Sequence, residues 1–256
     1  MIDSHTPDRL ELIAFLGFPA VRQGDFLPQL VVEAAHRNDI KFVDHDIIVI
    51  AQKIVSKAEG QSRLLSDVVP TAAALELAHN TGKDPRLVEL ILAESVSIVR
   101  QGHNVIIAEN RLGIVMANAG IDQSNIEEGY ALLLPKDPDA SAKAIQDYLR
   151  DHSQCEVGVI IADSIGRAWR NGIIGHAIGV AGINALLDLR GQVDRNGREL
   201  RVTEVAIADE IAAAGSMLMG QAAEGKPVVL VRGFRNLHGT SSARALLRSH
   251  DRDLFR

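Results

Sequence analysis

The sequence predicts an α/β (α+β) protein with mixed β-sheets. Short runs rich in Val and Ile alternate with segments of helical periodicity, which is typical of helices packed on sheets. Asn110-Arg111 separates two short apolar runs and indicates a hairpin, so some strands should pair antiparallel. The chain has 256 residues and is 46% hydrophobic, which is enough to bury a large core.

Periodicity and turn residues assign the elements in order. The predicted helices cover residues 26–36, 70–81, 84–95, 141–151 and 209–220. Pro70 and Pro85 fall at two helix starts, and Gly82 is placed to end the helix before it. The predicted strands cover residues 10–16, 44–51, 97–100, 105–109, 112–116, 157–162, 203–208 and 228–232. Loops are expected after the strands that end at residues 51 and 162.

Residues 160–182 carry the densest group of chemically useful side chains. A buried strand is expected to end in Asp163 and Ser164, followed by a glycine-rich loop with Arg167 and Arg170. Ligands of α/β proteins bind at strand ends, and carboxylate and hydroxyl oxygens suit Mg²⁺ or Mn²⁺. Guanidinium groups bind phosphate or carboxylate. We therefore hypothesise a metal-assisted phosphate site; the alternative is a polar turn in which Asp-Ser caps a helix.

Two further segments have the same character. Residues 116–129 follow a predicted strand; Asp122 is a candidate metal ligand, and Asn125 can donate to or accept from a nucleotide. The alternative is that this segment forms an Asx-turn that caps the next helix. Lys53 and Lys57 follow the strand that ends at residue 51, which suggests anion contacts, although a solvated loop explains them equally well.

Composition and missing motifs narrow the function. A net charge of -6 gives no basic field for nucleic acid. The single cysteine excludes a disulfide within the chain, and neither a signal peptide nor an apolar run of membrane-spanning length is recognisable, so we expect a cytoplasmic protein without a membrane partner. The chain contains no P-loop, Rossmann glycine fingerprint, zinc motif or serine-hydrolase elbow. His176 is expected to be structural.

The C-terminal segment is basic. Arg244, Arg248, Arg252 and Arg256 recur at every fourth position, which would make a basic stripe on a helix, and a solvated face is the favoured interpretation. We predict a catalytic domain over residues 1–234 and a separate helical or flexible tail over residues 235–256 that includes Arg235.

Several motifs occur together in this order and resemble one known family. They are GFP (17–19), VSKAEG (55–60), ANAGIDQSN (117–125), DSIGRAWRNG (163–172), AIGVAG (177–182) and ADEIA followed by LMG (208–220). The chain resembles the coenzyme F(420):L-glutamate ligases, also called F(420)-0 gamma-glutamyl ligases, over roughly residues 12–233. The resemblance implies the family's own ligase fold, which is neither a P-loop nor a Rossmann fold.

The resemblance implies a GTP-dependent, amide-forming ligase of coenzyme F(420) biosynthesis. Such an enzyme joins L-glutamate to the terminal carboxylate of the deazaflavin precursor F(420)-0 through an acyl phosphate, then adds further gamma-linked glutamates. It also implies two divalent ions (Mg²⁺ or Mn²⁺), with K⁺ as a candidate third ion, and a homodimer. The number of glutamates, the acceptor variant, the preferred metal and the strictness of GTP over ATP stay open.

The resemblance also assigns residues. It places GTP contacts at Phe18, Pro19, Ala20, Val21, Gln52, Lys57, Asn125 and Gln221. Asp122 and Asp163 match ligands of one metal, and Ser164 and Gln221 match ligands of the second; some relatives carry Glu in place of Gln221. For catalysis we assign Asp163, Arg167 and Arg170, because phosphoryl transfer needs charge neutralisation. Two alternatives stay open, a metal-dependent GTP phosphohydrolase and a nucleotide-binding module without turnover.

Overall fold

The computed structural model describes residues 9–234 and 239–254. The α-helices are α1 (Leu27–Arg37), α2 (Gln52–Ala58), α3 (Ala72–Thr81), α4 (Pro85–Ala93), α5 (Pro138–Ser153) and α6 (Ile207–Met219). The strands are β1 (Glu11–Ala14), β2 (Ile47–Ala51), β3 (Ser62–Leu64), β4 (Ser95–Gly102), β5 (Val105–Asn110), β6 (Val115–Ala117), β7 (Tyr130–Leu132), β8 (Gly158–Arg167), β9 (Arg170–Ala181), β10 (Leu187–Asp188), β11 (Glu204–Val205) and β12 (Val228–Arg232). This mixture of helices and sheets confirms the predicted fold class.

A five-stranded mixed sheet forms the centre, in the order β1-β12-β2-β8-β9. Only β2 and β8 pair in parallel among these strands, and their last paired residues are Ala51 and Ala162. β8 then continues beyond the end of β2, paired with β9 alone. The extension places Asp163 and the residues after it past the carboxyl end of β2, where α/β sheets offer room for ligands.

Helices cover both faces of this sheet. Val159 and Ile161 of β8 pack in one core cluster with residues of α1 and α5. Ile160 and Ala162 pack in a second cluster with residues of α6. Successive side chains of β8 enter opposite clusters because side chains of a strand point to opposite faces in turn. Both faces are buried, so apolar and polar residues do not alternate in this part of the sequence.

A second layer is built on a three-stranded antiparallel sheet in the order β4-β5-β6. Helices α3 and α4 pack against it through a separate core cluster that includes Ile91 and Ile106. Gly82 ends α3 with a left-handed φ of 73°, and the Asp84 side chain caps α4 by accepting from the Arg86 amide. The two helices are therefore confirmed, as are the positions predicted for Gly82 and Pro85 at their boundary, whereas the Asp84 cap was not predicted.

The loop expected after Ala162 is wrong. Residues 163–181 form the long hairpin of β8 and β9 instead. Two glycines of this segment allow close packing: a Cβ at Gly175 would lie 2.5 Å from the Ala212 carbonyl oxygen, and one at Gly179 would lie 2.3 Å from that of Pro138. Glycine here lets α6 and the start of α5 approach β9, so its presence did not signal a loop.

The loop expected after Ala51 is also wrong, because α2 begins directly at Gln52. A seven-residue helix is too short for its periodicity to be recognised reliably in a sequence. Gly215, an unfavourable residue inside a predicted helix, is explained by packing: its Cβ would lie 2.9 Å from Cγ1 of Val49. Helix α6 thus lies close against the central sheet.

Within residues 239–254 the basic tail does not form the α-helix that would align its arginines in one stripe. Over the described residues 239–254 it makes two short 3-10 turns, Ala243–Leu246 and His250–Arg252, while Arg235 and Arg256 lie outside the described residues. The Ala243 amide donates to Asp139 at 2.9 Å, so the tail is fixed to the start of α5. The division at residue 234 stays a prediction. Within the described chain, no helix combines the length and apolar character that a membrane crossing needs.

Candidate active site

A cleft of about 600 Å³, here called the main cleft, opens where β8 passes the end of β2. Its walls come from the segment after β1, the start of α2, the loop before β7, the middle of β8 and the loop between α6 and β12. The predicted site residues that line it are Phe18, Pro19, Ala20, Val21, Gln52, Lys57, Asp122, Asn125, Asp163, Ser164 and Gln221. Arg167 and Arg170 are the two predicted site residues outside it.

Asp163 is the most perturbed group of the cleft. Burial raises its pKa to about 7, and the nearby Asp122 carboxylate adds to the increase. The Ser164 amide donates to Asp163 Oδ1 at 2.8 Å and offsets part of this effect. So high a pKa means that the surroundings of this carboxyl group do not fully compensate its negative charge when it ionises. Such a group is typical of a site that binds a cation or a proton.

Asp122 is held by a strained loop and by Lys53. Asn118 and Ala119 before it both have a φ of 53°, a conformation that costs an alanine about 1–2 kcal/mol. Lys53 Nζ donates to Asp122 Oδ2 at 2.7 Å. Burial alone would raise the pKa of Asp122, but the bonds from Lys53 and Ser124 outweigh it and lower that pKa. Asp122 is therefore ionised and preorganised.

Two lysines of α2 face this loop. Lys53 Nζ also donates to Ser124 Oγ at 2.5 Å, and Lys57 Nζ donates to the Asn125 carbonyl oxygen at 2.8 Å. Burial lowers the pKa of Lys57, and repulsion by Lys53 lowers it further. The sequence suggested anion contacts for both lysines, but our assignment of site residues omitted Lys53. An i, i+4 spacing on a recognised helix would have placed both on one face.

The loop between α6 and β12 is tied across the cleft. Ser164 Oγ donates to Gln221 Oε1 at 2.7 Å, and Gln221 Nε2 donates to Ser216 Oγ at 2.9 Å. Asn125 Nδ2 donates to the Ala222 carbonyl oxygen at 3.1 Å from the other side. The same loop brings Glu224 and Lys226 into the lining, and sequence analysis did not assign either of them because an isolated loop charge carries no distinguishing pattern.

Arg167 and Arg170 lie at the far end of the β8–β9 hairpin, paired with each other in register. Trp169 between them is 87% exposed, with a φ of 66°. Arg167 Nε is buried and makes no hydrogen bond within the described residues. The catalytic role assigned to these arginines stays a prediction, because in the described chain neither side chain lines the main cleft.

The oxygen ligands of the cleft suit a hard divalent cation. Across residues 9–234 and 239–254, no group of three or more His, Cys, Asp and Glu side chains could hold a metal. An ion near Asp122 and Asp163 would therefore need further oxygens from Ser164, Gln221, water or phosphate, which is the ligand set that Mg²⁺ prefers. The uncompensated charge of Asp163 is what such an ion would neutralise, so the residues fit the metal.

The mixed fold and a cleft lined by carboxylates, lysines and amides define an α+β protein with a candidate site for phosphates and a hard cation. Comparison with known families gives the particular group. The family model described as F(420)-0:gamma-glutamyl ligase matches residues 16–233, and the chain belongs to this family. The family that the sequence motifs resemble is thereby confirmed.

Three relatives illustrate the similarity. The coenzyme F(420):L-glutamate ligase of Methanothermobacter thermautotrophicus is 47% identical over 249 residues, which cover 96% of this chain and 99% of the relative. The protein of that name from Methanopyrus kandleri is 47% identical over 240 residues, covering 92% and 93%. The one from Archaeoglobus fulgidus is 39% identical over 248 residues, covering 97% of each chain.

Proposed function

We propose that this protein is a GTP-dependent ligase of coenzyme F(420) biosynthesis. It adds L-glutamate to the terminal carboxylate of F(420)-0 and then adds further gamma-linked glutamates. The observation that carries the proposal is the main cleft, where Asp122 and Asp163 meet the two lysines of α2 from three separate chain segments. Family membership and the names of the relatives support the acceptor and the amino acid.

The chemistry explains why a nucleotide is needed. A carboxylate does not react with an amine in water, because its oxygen is a poor leaving group. In the proposed reaction an acceptor carboxylate oxygen attacks the γ-phosphorus of GTP, the bond to the β-phosphate oxygen breaks, and GDP leaves. The glutamate amine then attacks the acyl carbon, phosphate leaves with the former carboxylate oxygen, and the nitrogen releases its excess protons. Phosphoryl transfer of this kind depends on positioning and charge neutralisation.

The residues of the cleft divide these tasks. Lys53 and Lys57 would bind the phosphates, since both ammonium groups face the loop that carries Asp122 and Asn125. Residues 18–21 and Asn125 would hold the rest of the nucleotide. Asp122 and Asp163 would hold one divalent ion, Ser164 and Gln221 a second, and these ions would supply charge neutralisation for the phosphoryl group. Asp163 would bind its ion only when the carboxyl proton has left.

Three further features belong to the proposal. K⁺ would be a third ion, the protein would act in the cytoplasm, and it would form a homodimer. The exposed Trp169 at the end of the β8–β9 hairpin supports a contact surface there, because a large exposed aromatic side chain is typical of protein interfaces. In such a dimer Arg167 and Arg170 of one copy would reach the main cleft of the other copy.

An omission assay tests the proposed function. The purified chain is mixed with GTP, Mg²⁺ or Mn²⁺, L-glutamate and F(420)-0, each component is left out in turn, and the product mass is measured. We expect a glutamate-sized mass increase that requires all four components and yields one GDP for each glutamate added. Phosphate release without L-glutamate would indicate the phosphohydrolase instead. GTP binding without turnover would indicate a nucleotide-binding module.

A further inference from the structure

A second cavity of about 330 Å³ lies beside the main cleft and has no role in the proposed nucleotide chemistry. It opens along the outer edge of β9 at His176, where the starts of α5 and α6 meet the turn between β5 and β6 and the basic tail. Its volume lies at the small end of the roughly 300–1,000 Å³ range of ligand pockets. We call it the second cavity.

The tail forms one wall of the second cavity and is firmly attached. Ala243 is buried in the core beside α6, and the Ala185 amide donates to Ser241 Oγ at 2.6 Å. His250 Nε2 lies 3.1 Å from Glu109 Oε1 on β5. These contacts hold the 3-10 turn that carries Arg244 into the lining. The family model ends at residue 233, so this wall is built by residues outside the matched region.

Two cations of the lining have no ion-pair partner among the described residues. They are Lys136, before α5, and Arg244, on the tail. The third cation of the lining, Arg111, is already paired with Glu94. Lysine and arginine side chains that converge on one cavity without a carboxylate partner are typical of sites for anionic groups. The second cavity therefore offers two positions for ligand carboxylates.

Three carboxylates, those of Asp137, Asp139 and Asp209, line the second cavity, and Asp209 is the one bonded to β9 directly beside His176. Asp209 in the first turn of α6 is half-buried, and its Oδ1 accepts from the Ala177 amide at 2.8 Å. Burial raises the pKa of Asp209, although that amide and the charge of His176 lower it. Asp139 accepts from the amides of Val180 and Ala243, both through Oδ1, and its bond to Val180 places it farther along β9 from His176. Asp209 Oδ2 is left to bind an ammonium group.

The second cavity lies next to the reacting end of the main cleft. His176 lines the cavity and is the cross-strand partner of Asp163. Ile165 also lines it and follows Asp163 by two residues, so the two lie on the same face of β8, about 7 Å apart along the strand. A ligand in the cavity would thus be within the length of one small molecule from a phosphoryl group held near Asp163.

We propose that the second cavity binds the incoming amino acid, an α-amino dicarboxylate, with its two carboxylates at Lys136 and Arg244 and its ammonium group at Asp209. The charges match L-glutamate in number and sign, and the volume suits an amino acid better than a deazaflavin. This inference rests on the proposed function, because it names where the amine substrate of that reaction binds. It also gives the basic tail a role in substrate binding.

Direct binding of L-glutamate tests the inference. The full chain is titrated with L-glutamate by calorimetry, with Mg²⁺ and a non-hydrolysable GTP analogue present and the acceptor absent. We expect Lys136→Met, Arg244→Met and Asp209→Asn each to raise the Kd at least tenfold. The KM for L-glutamate in the complete assay should rise by a similar factor, while the KM for GTP stays within twofold. L-glutamine, which has only one carboxylate, should bind the wild type at least tenfold more weakly than L-glutamate.

A matched control separates charge from folding. Lys143 lies on α5 and pairs with Asp147 outside both cavities, so Lys143→Met should leave the Kd and both KM values unchanged. Asp209→Asn keeps an acceptor for the Ala177 amide, and thermal denaturation identifies any variant that fails to fold.

The outcomes also separate this inference from the proposed function. A wild type that forms product, with the KM for L-glutamate unchanged in all three variants, would overturn the inference alone. A rise confined to the KM for F(420)-0 would overturn it as well, because the cations would then bind the acceptor. If the wild type binds L-glutamate, the variants do not, and no product forms with any acceptor, the cavity assignment is supported and the ligase function is rejected.

Discussion

The two cavities are assembled from the sequence in different ways. The main cleft is lined by short clusters of polar residues that are close in the sequence, such as Asp122 with Asn125 and Asp163 with Ser164. The second cavity takes single residues from distant segments, with Lys136 before one helix, Asp209 inside another and Arg244 on the tail. A site made of clusters can be recognised in a sequence, whereas a site made of isolated residues becomes visible only in the fold.

The cavities also differ in charge. In the main cleft Lys53 already neutralises Asp122, and the uncompensated group is the acid Asp163. In the second cavity the cations Lys136 and Arg244 have no ion-pair partner within the residues that the structure describes, and Asp209 Oδ2 is available as well. One cavity is therefore suited to cations and the phosphates they accompany, and the other to a ligand that carries both carboxylates and an ammonium group. Substitution of single charged residues tests this difference in charge between the two cavities.

The largest expected effect belongs to Asp163→Ala. Removal of this carboxylate should lower turnover by at least a factor of about 10³, because a preorganised charge at a phosphoryl centre contributes about 2–4 kcal/mol and a metal ligand is lost with it. Product formation is measured in the complete assay, and circular dichroism checks that the fold is intact. A folded variant with the normal rate would remove Asp163 from the mechanism.

A smaller loss is expected for Lys57→Met. The variant should lower kcat/KM for GTP by about 10²-fold, since one charged contact to phosphate is lost. Lys83→Met is the matched control: Lys83 Nζ also donates to a backbone carbonyl, that of Asn104, and burial also lowers its pKa, but it lies outside the main cleft. Equal losses in both variants would show that a half-buried lysine matters for stability and not for GTP.

Most helices and strands, and most of the residues that line the main cleft, could be predicted from the sequence. Pro85 and Gly82 marked helix ends because both act through local backbone geometry. Asp163 was placed at a strand end, but β8 runs on to Arg167, since pairing with β9 is a long-range interaction that periodicity does not contain. Lys53 was missed as a site residue because its salt bridge joins residues far apart in the chain.

The raised pKa of Asp163 predicts a pH-dependent gain in stability for Asp163→Asn. Above pH 7 the metal-free wild type must ionise a carboxyl group whose pKa in the fold is about 7, well above its ordinary value, so folding is disfavoured there. We expect the variant to be more stable by about 4 kcal/mol at pH 8, or about 8–16 °C in Tm, and the gain should nearly vanish by pH 4.

Thermal denaturation with a chelator present measures this difference. Asp188→Asn is a suitable control, because Arg190 lowers the pKa of the exposed Asp188 to about 2 and removal of that carboxylate should give no gain at pH 8. A difference between wild type and Asp163→Asn that stays constant from pH 4 to pH 8 would contradict the raised pKa.

The smallest effect is expected for Arg170→Ala. The side chain lies at the far end of the β8–β9 hairpin, outside both cavities of the described chain, so turnover by a single copy should fall less than threefold. Turnover is measured at protein concentrations above and below the range in which sedimentation detects a dimer. A loss as large as that of Lys57→Met, seen only where the dimer forms, would mean that Arg170 acts in the cleft of a second copy. The active site would then consist of the main cleft and the second cavity of one copy together with the β8–β9 hairpin of the other.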